Sequence, residues 1–257
     1  MICMKKIALV TGGARGIGKA ISSALLKDSD QMILVDQSVD ELSSTVDELK
    51  KLNENIKGIH FDLNDIKNLD KMVDGILDEY EYVNILVNNA GIGSGMNPKM
   101  IHEYDDDFWE MSLRVNLTVP YRLSKCLLPG MIKNKWGRII NIASVAGKVG
   151  FKHGGAYCAS KHGLIGLTKT ISLEVAQHGI TVNAICPGPI DTNFLRTRLR
   201  FELSTRSSTM EALEEECNAI GRFIQPEEVA NLIHFLSLEQ SGAITGEAIN
   251  INGGMRL

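Results

Sequence analysis

The chain has 257 residues, 44% of them hydrophobic and 23% charged, with a formal net charge of −4. That length and balance suit one large α/β domain with a substantial core, and the acidic charge argues against a nucleic-acid partner or an anionic membrane surface. Cys3, Cys126, Cys158, Cys186 and Cys217 are odd in number and form no Cys-x-x-Cys pair, so reduced thiols in a cytoplasmic protein are expected, with neither a disulfide framework nor a metal site.

Residues 6–10 form a short β-type run leading into TGGARGIG at residues 11–18, after which Ile17, Ile21, Ala24 and Leu25 give a helical stripe. The apolar run is too short for a signal-peptide core, and no stretch of the chain approaches the roughly 20 apolar residues of a membrane span. A strand entering a glycine-rich turn and then a helix brings backbone N–H groups against a phosphate. The spacing is G-x-x-x-G-x-G rather than G-x-G-x-x-G. Residues 31–35 form a second strand ending on Asp36, eighteen residues after Gly18. An acid there accepts from the ribose 2′-hydroxyl of NAD and repels the 2′-phosphate of NADP. Two features pull the other way: Asp36 could cap the following helix, and Arg15 in the glycine loop could pair with a 2′-phosphate. NAD is favoured because the acid sits at the strand tip.

Val39, Leu42, Val46 and Leu49 mark the next helix, and residues 56–61 a third strand ending at Asp62. Asp62 could receive an adenine amino group or serve as a loop charge. Ile66, Leu69, Val73, Ile76 and Leu77 mark a further helix, and a fourth strand at residues 84–87 runs into NNAG, residues 88–91. The helical pattern at residues 105–133 is interrupted by Pro120 and Pro129, so a kink or break is expected. Asn116 lies within it and matters if the helix bends there.

A fifth strand at residues 137–143 precedes Ser144, and Tyr157 and Lys161 then open a long apolar-periodic segment carrying Leu164, Leu167, Ile171 and Val175. On a helix, positions i and i+4 share a face. An ammonium beside a phenol stabilises phenolate and lowers the tyrosine pKa, as a proton donor at neutral pH requires. The Ser144 hydroxyl could polarise a carbonyl beside that tyrosine. A sixth strand at residues 180–186 exits through PGPIDT, residues 187–192; a helix near residues 226–238 and a strand at 248–251 complete the pattern. Strands alternate with helices without linker or repeat, which predicts a single doubly wound, Rossmann-type domain with a parallel sheet of about seven strands and helices on both faces.

TGGARGIG, Asp36, Asp62-Leu63, NNAG, Asn116, Ser144, Tyr157 with Lys161, and PGPIDT occur together in an order that closely resembles the short-chain dehydrogenase/reductase family over nearly the whole chain. The tail TGEAININGG is similar to the family's closing strand, with Asn252 in place of the usual aspartate. The resemblance implies a catalytic set of Asn116, Ser144, Tyr157 and Lys161. Tyr157 is then the acid/base, Lys161 lowers its pKa and holds the nicotinamide ribose, Ser144 orients the substrate oxygen, and Asn116 keeps a helix kink that holds a relay water. It also implies cofactor contacts from Gly12, Arg15, Gly16, Ile17 and Gly18, from Asp36, Asp62, Leu63 and Asn89, and from Ile190 and Thr192 beside Tyr157 and Lys161.

The implied activity is hydride transfer between NAD(H) and a secondary alcohol or ketone, with a 3-hydroxyacyl/3-oxoacyl compound the first expectation. An NADP-dependent ketoreductase, a polyol, sugar or hydroxysteroid dehydrogenase, and a non-catalytic nucleotide-binding regulator are the alternatives. Relatives are usually dimers or tetramers, so a homotetramer or homodimer is expected. Residues 189–222 follow the sixth strand and read as a substrate lid, basic at Arg196, Arg198, Arg200 and Arg206 and acidic at Glu211, Glu214, Glu215 and Glu216. The arginines could steer an anionic substrate, or the charges could pair with one another. Phe151, His153 and Cys158 lie at the active-site motifs and could line the pocket, and residues 151–155 are expected to bear on substrate choice.

Overall fold

A computed structural model describes residues 4–205 and 208–256, so Cys3 and Arg206 lie outside the described residues. Seven strands form one sheet: β1 (Ile7–Thr11), β2 (Gln31–Asp36), β3 (Ile56–His60), β4 (Ile85–Asn88), β5 (Gly137–Ile142), β6 (Ile180–Pro187) and β7 (Ala248–Ile251). Their order is β3-β2-β1-β4-β5-β6-β7, and every pair is parallel. The chain winds outward from β1 to β3, returns to β4 beside β1, and winds out the other way. That reversal opens a crevice at the carboxyl ends of β1 and β4, the place where doubly wound sheets bind ligands.

Both faces of the sheet are covered. Ala8 and Val10 of β1 point into one core, with α1 (Gly16–Leu25), α2 (Val39–Lys50) and α9 (Pro226–Ser237) packed on it. Ile7 and Leu9 point into the other, against α3 (Leu69–Tyr80), α5 (Val119–Asn134) and α6 (Gly155–Val175). The alternation along a strand divides its side chains between two dry layers, so the central strands are buried at every step and show no solvent face. Among the described residues, no helix is long and apolar enough to cross a membrane.

Two expectations need correction. The break in residues 105–133 falls between α4 (Asp106–Leu113) and α5, where Arg114–Thr118 form a π turn. Pro120 follows closely after the π turn, where its missing N–H leaves a carbonyl of that turn without a helical donor, and Pro129 stays inside α5 without ending it. The segment at 189–222, expected as a loop following the sixth strand, carries two helices, α7 (Asn193–Thr205) and α8 (Met210–Glu216). Strand ends fall within a residue or so of their expected places, while α3 begins at Leu69 and leaves Ile66, expected in it, in the preceding turn.

Candidate active site

The glycine loop is fixed before any ligand is considered. The carboxylate of Asp36, buried at the end of β2, accepts from Ala14 N (3.1 Å) and Ser38 N (3.1 Å). From α2, Thr45 Oγ1 donates to Ala14 O (2.7 Å). Asn89 Nδ2 donates to Thr11 O (3.0 Å) and Gly12 O (2.9 Å), while Thr11 Oγ1 accepts from Asn89 N and Ala90 N. NNAG is thereby tied to the loop. Asn89 was expected at the cofactor, but Thr11 carried no expectation, and its hydroxyl joins the two segments.

The same loop fits a dinucleotide phosphate. A Cβ on Gly18 would stand 1.8 Å from Gly12 O and one on Gly16, at φ +52°, 3.3 Å from Thr192 Cγ2. The loop, the start of α1 and the PGPIDT turn therefore approach at distances that only glycine permits. No side chain caps α1, and its first turn holds no acid, so its N–H groups and positive dipole end remain available to an anion. Arg15 extends outward to Glu41 (3.1 Å). Asp62 is exposed and accepts from Asn64 N (2.9 Å), and Leu63 is buried in the second core, which leaves its backbone for a ligand. Ile190 is buried and bridges to Ile224, while Thr192 Oγ1 donates to Ile190 O (3.2 Å). Ile17 packs at the margin of the first core.

Beyond β4 and β5 the remaining candidates converge. Asn116 lies in the π turn, fully buried; its Oδ1 accepts from Ile92 N (2.8 Å), and its Nδ2 donates to Ile92 O (3.0 Å) and Ser160 Oγ (3.1 Å). A π turn shifts the helical ladder by one residue and recurs at functional sites; here the asparagine locks the NNAG loop to α6. A Cβ on Gly91 would sit 3.2 Å from Asn116 Oδ1 and 3.6 Å from Lys161 Nζ. Lys161 is buried, donates to Ile142 O (2.7 Å), and places its ammonium 5.7 Å from the Tyr157 ring centre. Ser144 stands two residues past β5 in extended backbone, its Oγ accepting from Ala146 N (3.1 Å). Asn116, Ser144, Tyr157 and Lys161 thus meet at one point beside the crevice.

The expected direction of the tyrosine pKa is reversed. Burial pushes the Tyr157 phenol up to about 12, and the hydrogen bond with Ser144 only partly offsets this. Burial also pulls Lys161 down to about 8. In the protein alone, desolvation sets both directions, and Lys161 directs a proton to Ile142 O.

From α7, the Phe194 ring packs on Tyr157 at 6.2 Å, and Phe151 packs on it at 6.4 Å. Arg196 pairs with Asp191 (2.8 Å) and Arg198 with Glu202 (2.8 Å), so these basic residues bond to acids near them and not to the acidic second half. His153, at φ +61°, stands edge-on to Phe201 at 5.2 Å.

Residues 6–202 match the model of the short chain dehydrogenase family. The chain belongs to that family. Among similar proteins in this family is the 3-oxoacyl-[acyl-carrier-protein] reductase FabG of Vibrio harveyi, 37% identical over 250 residues covering 97% of both chains. Its counterpart in Aquifex aeolicus is 36% identical over 251 residues, again at 97% of each. A solved structure of a single-residue variant of the actinorhodin polyketide ketoreductase with NADPH superposes with a TM-score of 0.90 at 33% identity, covering 97% of this chain and 96% of that one. As a member of this dehydrogenase family the chain is an oxidoreductase acting on carbonyl or hydroxyl groups, and the family binds a nicotinamide cofactor.

Proposed function

We propose that this dehydrogenase reduces a 3-oxoacyl compound to its 3-hydroxy form with NADH, in the cytoplasm, under a lid formed by residues 189–222. The observation that carries the reading is the meeting of Tyr157, Lys161, Ser144 and Asn116 beside a glycine loop built for a dinucleotide phosphate. A bound nicotinamide supplies the hydride. Tyr157 gives its phenolic proton to the ketone oxygen, and Ser144 orients that oxygen by donating to it. At neutral pH the phenol starts the reduction protonated. Lys161 holds the cofactor ribose and recharges the phenol, while Asn116 keeps the π turn and α6 in register. Phe194 and Phe151 exclude water from the reacting atoms.

NADH is favoured because a buried carboxylate ends β2, where a 2′-phosphate would face an anion, and because Arg15 is occupied by Glu41. The second reading, an NADPH-dependent ketoreductase, is favoured by the position of Arg15 in the loop and by the NADPH in the similar ketoreductase structure. Fluorescence titration with both cofactors separates them: tighter binding of NADPH would reject the NADH assignment. A homodimer or homotetramer is supported by exposed apolar side chains on α5 and α6, namely Tyr121, Ile132 and Leu173; sedimentation of a monomer would end that part.

A further inference from the structure

Arg198 differs from the other arginines of α7. Arg196 and Arg200 are exposed, whereas the Arg198 side chain retains only 17% of its accessible surface. It follows Phe194 by four positions, so the two share the helix face that meets Tyr157. Its guanidinium carbon lies 5.2 Å from the centre of the Phe151 ring and 5.3 Å from that of Phe201. Nε donates to Glu202 and Nη2 to Lys152 O (3.2 Å), which fixes the plane of the group. Nη1 is shielded from solvent and, among the described residues, has no hydrogen-bond partner. The charge also reaches the thiol of Cys158, next to Tyr157: burial raises that thiol's pKa, while a backbone hydrogen bond at Phe151 and then Arg198 lower it.

A buried donor held rigid and left without an acceptor costs stability, commonly about 1–3 kcal/mol, until something supplies the acceptor. A guanidinium donates only in its own plane, so an acceptor for Nη1 must approach along the edge of the group. Glu202 already neutralises its charge, so the acceptor need not be an anion. We infer that Arg198 is a specificity-determining residue whose Nη1 edge takes a second acyl oxygen of the substrate, lying beyond the ketone that Tyr157 protonates. The inference rests on the carbonyl-reductase reading above and narrows it to ketones bearing such an oxygen, as a thioester carbonyl or a carboxylate. Phe151, touching both Tyr157 and Arg198, sets the spacing between the two oxygens.

The test compares wild type, Arg198→Met and Arg198→Lys on three substrates: 3-oxobutyrate, the 3-oxobutyryl thioester of N-acetylcysteamine, and 2-octanone, which has no second oxygen. A lost bond to a charged donor corresponds to roughly a ten- to hundredfold rise in KM. Arg198→Met should show that rise for the acyl substrates, with kcat and KM for 2-octanone and cofactor affinity within about twofold, and Arg198→Lys should recover part of it. A rise confined to the thioester identifies the thioester carbonyl as the acceptor; one confined to 3-oxobutyrate identifies the carboxylate. Equal effects on all three substrates, no effect on any, or wild-type turnover of 2-octanone alone would overturn the inference and leave the reductase reading standing. Absence of wild-type turnover with either cofactor would remove both.

Discussion

Lys161 is a buried cation with no carboxylate acting on its pKa, and replacing it with methionine should make the protein alone more stable at neutral pH. Its folded pKa of about 8 lies below the ordinary value of 10.5. That difference corresponds to roughly 3 kcal/mol of unfavourable charge burial at pH 7. Methionine keeps much of the volume and removes the charge, but leaves Ile142 O without its 2.7 Å donor, at about 1 kcal/mol. The expected net gain for Lys161→Met is about 2 kcal/mol at pH 7. Between about 8 and 10.5 the unfolded chain binds more protons at this site than the folded one, so wild-type stability from Lys161 rises with pH across that window. It is fully recovered above 10.5 and lost as pH falls through 8. The advantage of the variant should therefore shrink by about 3 kcal/mol between pH 7 and 10.5, leaving it slightly less stable than wild type at the upper end. Urea unfolding of both proteins at the two pH values measures this directly. A variant destabilised equally at both would refute the claim that the ammonium is held at a desolvation cost.

Gly18→Ala should abolish cofactor-induced thermal stabilisation, because its Cβ would fall 1.8 Å from Gly12 O and backbone must move to admit it; an unchanged shift with NADH would contradict the tight loop. Tyr157→Phe should lower kcat by at least about a thousandfold while leaving NADH affinity within about threefold, measured by steady-state kinetics and fluorescence titration. Asp36→Ala should weaken NADH binding roughly tenfold, narrow the preference over NADPH, and lower stability by about 2 kcal/mol through loss of the bonds to Ala14 N and Ser38 N. A variant with unaltered cofactor ratio would show that Asp36 serves the loop alone.

Much of the architecture could be read from the chain. Apolar runs of strand length alternating with 3.6-residue stripes prescribe a doubly wound sheet, since buried parallel strands have no other way to cover both faces. The glycine loop, Asp36 and the Tyr-x-x-x-Lys pair were legible because each depends on local spacing. What was not legible depended on neighbours distant in sequence. The π turn at Arg114–Thr118 is held by Asn116 reaching Ile92 and Ser160, neither of which its own helix announces. The charges of α7 obscured its helical face, and only the packing of Phe194 on Tyr157 reveals that Arg198 turns inward. Motif spacing gives the tyrosine's proximity to a charge but not its depth of burial, and burial wins here, so the expected sign of its pKa shift is wrong.

β7 completes the sheet beside β6, and Lys148, from the turn that follows Ser144, donates to Ala248 O (2.6 Å) and Asn250 Oδ1 (2.6 Å). Gly188 N also donates to Ile251 O (3.0 Å), so both the Ser144 turn and the PGPIDT turn lean on this last strand. Without β7, β6 would present an unpaired edge and these turns would lose those bonds. A strand that contributes no catalytic side chain thereby couples closure of the sheet to the shape of the two turns that frame the site.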